Sequence, residues 1–181
     1  MKKHLKAIFT ACQNIYIQLM DEWRIKYRII EYNLKTQEIL LSARRHSLVL
    51  KYNLSTVIKE IWIISALSVI DAALLGYFYG RCYRISQAEN KTKKRLKPSP
   101  LLLKTEKGRY KILSQNRDGN ISYLDSHTRK IYVENPVSII NNYHAIRHFD
   151  PTHACYIGIL AGLSFEKVQT KKLRPLLRIV D

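Results

Sequence analysis

The segment YHAIRHFDPTHAC, residues 143–155, gathers His144, His148, Asp150 and His153. Imidazoles and carboxylates exchange protons near neutral pH and hold divalent metals. His144 and His148 stand four apart, so on one helix face both would reach the same ion. Against this, Asp150-Pro151 ends any helix that runs through His148, and neither an HExxH motif nor a cysteine pair lies nearby. The four are candidates for acid–base or nucleic-acid-processing chemistry. No catalytic residue is assigned outright, and no metal is expected. No cofactor is expected either, because Walker, Rossmann and GxSxG signatures are absent.

Phosphate binding is the second chemistry the sequence offers. Lys91, Lys93, Lys94, Arg95 and Lys97 crowd into KTKKRLK, and 31 Lys+Arg against 14 Asp+Glu give a net charge of +17. A field of that sign attracts anionic lipid headgroups or nucleic acid. Tyr110, Tyr123 and Tyr132 alternate with basic residues on expected strands, as a base-stacking platform would require.

The third signal is IWIISALSVIDAALLGYFYG, residues 61–80, with Asp71 as its single formal charge. Twenty residues match a hydrocarbon layer of roughly 30 Å. The apolar residues contribute roughly −3 to −5 kcal/mol to insertion, and a central Asp opposes this with about +2.5 to +3.5. Ser65, Ser68, Ala72, Gly76 and Gly80 form a small-residue stripe with Asp71 beside it. Such a stripe lets helices approach closely. We expect a transmembrane helix over 61–80 that associates through this face. Seven Lys and Arg in 81–100, against four in 41–60, place the C-terminal side in the cytoplasm.

These signals need elements to carry them. Residues 1–75 hold neither glycine nor proline, which argues for long helices. Phe9, Cys12, Tyr16, Met20, Trp23, Tyr27, Ile30 and Leu34 recur at helical spacing. Asn53 or Ser55 caps the next helix. Beyond Pro98-Ser99-Pro100 the texture changes. Asp118-Gly119 marks a hairpin between RYKILSQ and ISYLD, and RKIYVEN supplies a third strand. Asn135-Pro136 and Asp150-Pro151 each open a helix, and LRPLLRIVD reads as a closing edge strand. Cys12, Cys82 and Cys155 are too dispersed for a disulfide framework.

The fold class is therefore α+β. Long N-terminal helices include the span, and a small C-terminal α+β domain holds a β-meander and two helices. The segments are 1–54 (helical, associating with a partner or membrane surface), 55–86 (the helix with its span), 87–100 (basic linker) and 101–181 (basic domain). The functional expectation is a non-enzymatic, single-pass membrane protein. It would be an accessory or scaffold component of a membrane-bound assembly, such as a bacterial transport or conjugation apparatus. Its partners would be anionic lipid and protein, in a homo- or hetero-oligomer built on the 61–80 helix. The rival expectation is a soluble or peripheral nucleic-acid-binding or -processing protein that uses the basic C-terminal domain and the His144, His148, Asp150 and His153 cluster.

Overall fold

A computed structural model describes residues 26–33, 35–43, 48–89, 96, 98–104 and 107–164. The chain is α+β, with two three-stranded antiparallel sheets and helices. The first sheet contradicts the expectation of long N-terminal helices. Strands β1 (Tyr27–Asn33), β2 (Glu38–Ala43) and β3 (Val49–Asn53) form a meander. Period-two burial outweighs the three- and four-residue spacing: Ile39 and Leu41 of β2 are fully buried, while Ile30 of β1 is 56 % exposed. The β1–β2 turn needs no glycine because Gln37 takes the left-handed conformation, at φ 55°. The stripe residues before β1, and the expected closing strand at 173–181, lie outside the described residues.

The expected span is two helices. Asn53 caps α1 (Leu54–Val57) by accepting the Ser55 N–H at 2.9 Å. Helix α2 (Ile61–Ile64) stops at Ser65. Ser68 then opens α3 (Val69–Glu89), its Oγ accepting the Asp71 N–H at 3.0 Å. No helix among the described residues is long and apolar enough to cross a membrane. Protein covers Ile63, Ile64, Leu67 and Leu75, whereas Trp62 is 56 % exposed. Tyr32 of β1 stacks on Phe78 with ring centroids 3.7 Å apart, and its hydroxyl meets Cys82 Sγ at 3.2 Å.

The second half of the chain has the expected meander and its two Pro-initiated helices. Strands β4 (Tyr110–Gln115), β5 (Ile121–Asp125) and β6 (Ile131–Glu134) lead into α4 (Pro136–Asn141), capped by Asn135. A short α5 (Tyr143–Ile146) follows, and then α6 (Pro151–Ser164), buried on nearly every side. This explains why α6 is apolar all round.

The two halves are the same unit built twice. Ile39 and Ile121, Asn53 and Asn135, Ile64 and Ile146, Ala72 and Ala154, Gly76 and Gly158, and Gly80 and Gly162 each stand 82 residues apart. Within each pair the two residues do the same job. Both isoleucine pairs and the alanine pair are buried, and both asparagines cap the helix after a third strand. Bulges fall at Ile29/Glu31 and at Ile112/Ser114. Left-handed residues fall at Gln37 and Gly119. The Tyr27 N–H reaches the Ala66 carbonyl at 3.3 Å, and the Tyr110 N–H reaches the His148 carbonyl at 3.0 Å.

Helices α3 and α6 join the repeats. A Cβ built on Gly76 would lie 2.0 Å from the Cys155 carbonyl oxygen, and one on Gly80 2.3 Å from that of Ile159. Reciprocally, Gly158 faces the Ala73 carbonyl at 2.1 Å and Gly162 that of Tyr77 at 2.2 Å. Contact partners advance together along both helices, so the pair is parallel. The first sheet packs on its own repeat's long helix, where Tyr32 stacks on Phe78.

Gly76→Ala and Gly158→Ala should each cost about 3 kcal/mol or more, because backbone rather than a flexible side chain must give way. Gly119→Ala, with no neighbour within 4 Å but φ +85°, should cost about 1 kcal/mol from strain alone. Urea unfolding followed by circular dichroism checks the ranking. Equal losses would contradict the backbone-to-backbone seam.

Candidate functional site

Parallel packing brings the N-termini of α3 and α6 to one end of the molecule. Each helix start is built locally. Asp150 Oδ1 accepts the Thr152 N–H at 2.9 Å and the Thr152 hydroxyl at 2.7 Å, and Pro151 supplies a preset φ for the first turn. The start of β4 lies against this corner. Gly108, at φ +93°, brings its backbone so close that a Cβ would sit 2.7 Å from the Asp150 nitrogen.

Between the two starts is a cavity of about 760 Å³. Equivalent residues line it from both repeats: Leu67 with Phe149, Ser68 with Asp150, Val69 with Pro151, and Ser65 with Arg147. The second repeat adds Lys104, Lys107, Arg109 and His148. Among the described residues, the one acid in the lining is Asp150, which is occupied by its capping bonds. Helix N-termini carry partial positive charge, so two of them reinforce the basic rim.

The charges are not equivalent. Arg109 grips Asp125 through Nε at 2.9 Å and through Nη2 at 2.7 Å. That bidentate bond holds the Asp125 carboxyl well below the usual carboxylate range, helped by the His127 N–H and the Thr128 hydroxyl. Lys104 and Arg147 add their positive charge to the same lining. Burial lowers the His148 pKa, and the positive field of Arg109 and Arg147 lowers it further. His148 is therefore a neutral imidazole near pH 7, against the Tyr110 ring with centroids 5.1 Å apart.

The structure separates the sequence's candidates. His144 is exposed in α5 and His148 half-buried at the cavity, while Asp150 and His153 are buried. Neither His153 ring nitrogen has a hydrogen-bond partner among the described residues, and burial pushes its pKa down. Among the described residues, no group of three or more His, Cys, Asp and Glu is arranged to hold a metal. Ser65 Oγ bonds back to the Ile61 carbonyl at 2.9 Å. Ala72, Gly76 and Gly80 are buried, the two glycines against α6, and Asp71 is half-buried with its carboxyl pKa raised by burial. Lys91, Lys93, Lys94, Arg95 and Lys97 lie outside the described residues. The sequence reading did not single out Lys104, Lys107, Arg109 or Arg147. Only the fold brings the 104–109 segment against the 147–152 corner, although Gly108 between two cations was an available signal of close backbone approach.

Compared with known proteins, the chain matches no family model, no curated protein and no solved structure.

The shifted groups predict an acid profile in two stages. His148 and His153 bind fewer protons folded than unfolded. Their contribution is full above about pH 7 and falls as pH drops through the ordinary imidazole value of about 6.5 toward the lowered folded values. The contribution of Asp125 is intact above about pH 4 and is lost as pH falls further. Urea midpoints measured from pH 8 to pH 3 should decline in both windows. His153→Leu should reduce only the first decline, and Asp125→Asn only the second.

Proposed function

We propose that this chain is a non-enzymatic binding module that holds a phosphate-bearing polyanion, a nucleic-acid strand, at the cavity between the two helix starts. The observation that carries this reading is the convergence of Lys104 and Arg147 with two parallel helix N-termini, in a chain of net charge +17. Phosphates that meet such a rim release condensed counterions, which drives binding without base recognition. Asp150, Arg109 and His153 support the corner structurally, and the reading needs no bond-making step.

A scaffold reading has its own support. Ile30 and Leu113, and Val49 and Ile131, occupy equivalent outward positions on the two sheets, each more than half exposed. Repeated exposed apolar residues of this kind suit a protein partner, such as a component of a membrane-bound assembly.

The polyanion reading predicts that a labelled single-stranded 20-mer binds with an affinity that falls steeply with salt. The double variant Lys104→Glu, Arg147→Glu should weaken binding at least tenfold at about 0.1 M salt and flatten the log–log salt slope by about two. Fluorescence anisotropy reads both. Sedimentation with phosphatidylserine vesicles is the second arm. Binding to vesicles but not to nucleic acid would transfer the site to a membrane surface. Equal binding by the double variant would remove the cavity from the function.

A further inference from the structure

A second cavity lies at the other end of the helix pair, where the two repeats differ. In the first repeat, the ring of Tyr32 covers Phe78 at 3.7 Å and its hydroxyl meets Cys82 at 3.2 Å. The equivalent residues in the second repeat are Gln115, Leu160 and Ser164. The strand registers fix the first of these: Tyr32 pairs with Ile39, and Gln115 pairs with Ile121. The glycine pairs fix the other two. The aromatic plug is thus replaced by an exposed amide, a smaller aliphatic side chain and a hydroxyl. All three line a cavity of about 920 Å³ that also takes in Tyr156, Arg84 and Arg117.

We propose that this groove binds a nucleoside monophosphate, with the base where the first repeat places its own aromatic ring. The first repeat specifies the shape of the occupant, a flat ring with a polar edge. The stack it makes there also indicates what such a ring contributes, since base–aromatic and base–aliphatic contacts are sequence-tolerant and strong. In the second repeat the floor is Tyr156 and Leu160. Gln115 offers both donor and acceptor to a base edge, and Ser164 stands where Cys82 meets the Tyr32 hydroxyl. The volume exceeds what a tyrosine ring fills and lies in the range of small-ligand pockets. Charge selects the anionic member of this class. Arg84 and Arg117 flank the groove, and Asp118 is the one acid in its lining among the described residues. Arg84 donates to the Leu163 carbonyl at the end of α6, so it is held in place, while Arg117 sits on the hairpin tip. The base lies inward against Tyr156 and Leu160. The phosphate lies outward against Arg117.

This site is separate from the cavity at the helix starts, and its test does not depend on the polyanion reading. Isothermal titration of the full chain with AMP and CMP should give saturable binding, with adenosine weaker. Gln115→Tyr with Leu160→Phe restores the first repeat's plug. It should abolish AMP binding while leaving the melting temperature unchanged or raised, and Lys104→Glu, Arg147→Glu should leave AMP binding intact. Arg117→Glu, an exposed change with no folding risk, should weaken AMP at least fivefold and leave adenosine unaffected. Silence toward both nucleotides would overturn the proposal, as would undiminished AMP binding by a folded plugged variant, or an Arg117→Glu variant that weakens AMP and adenosine alike. Tighter binding of N-acetyltyrosinamide than of AMP would assign the groove to a peptide and overturn it too.

Discussion

Four glycines set the geometry on which the rest of the molecule depends. Gly76 and Gly80 on one helix, and Gly158 and Gly162 on the other, let two backbones meet where any side chain would collide with a carbonyl. Close packing of this kind gains dispersion contacts along the whole seam. It also fixes direction. Parallel helices carry unfavourably aligned dipoles, and the apolar burial of Ala72, Leu75, Ala154 and Ile157 offsets that cost. The alignment leaves one end of the molecule with two helix starts and the other with two helix ends. The positive cavity and the groove between Arg84 and the hairpin tip follow from this polarity.

Much of the second repeat was legible in its residues. Asn135-Pro136, Asp150-Pro151 and Asp118-Gly119 are local signals whose physics does not depend on distant packing. Each stands at a helix start or turn in the structure. The first repeat hides the same features behind substitutions. Gln37 replaces the turn glycine, Leu54 replaces the helix-opening proline, and Ser68 replaces the capping aspartate. The stretch that holds β1, β2 and β3 thus reads as helix although it folds as a sheet, because the absence of glycine and proline is not itself a helix signal. The duplication was obscured for the same reason. Identity survives mainly where geometry permits one residue type or where the core is tightest, at the capping asparagines, the seam glycines, and Ile39, Ile64 and Ala72 with their partners.

The hydropathy of 61–80 misled for a different reason. A helix buried by protein on most sides and a helix surrounded by lipid both select apolar side chains, so composition alone does not name the medium. Ser65 and Ser68 distinguish them. Counted as small residues, they look like part of an association stripe. In the fold the first lies just past the end of α2 and the second caps α3. Asp71 then falls in the first turn of a new helix, where a carboxylate suits the dipole, and not at the midpoint of a span.

Equivalent positions that differ in chemistry show how the repeats have parted. Asp71 and His153 occupy the same place in the first turn, with Arg28 and Lys111 as their equivalent basic neighbours on the first strands. The first pairing is attractive and the second is not. Burial keeps His153 neutral, and a neutral ring tolerates Lys111 where a charged one would not. The aromatic positions diverge in the same sense. Tyr32 and Phe78 close the first repeat upon itself, while Gln115 and Leu160 leave the second open. A packed duplicate relieves its twin of part of the work of stability, because the shared seam is anchored from the closed side. The open side can then lose a ring stack, worth about 0.5–1.5 kcal/mol beyond its area, without losing the fold. That asymmetry is why the pocket beside Gln115 and Leu160 lies in the second repeat, while Tyr32 and Phe78 seal the first.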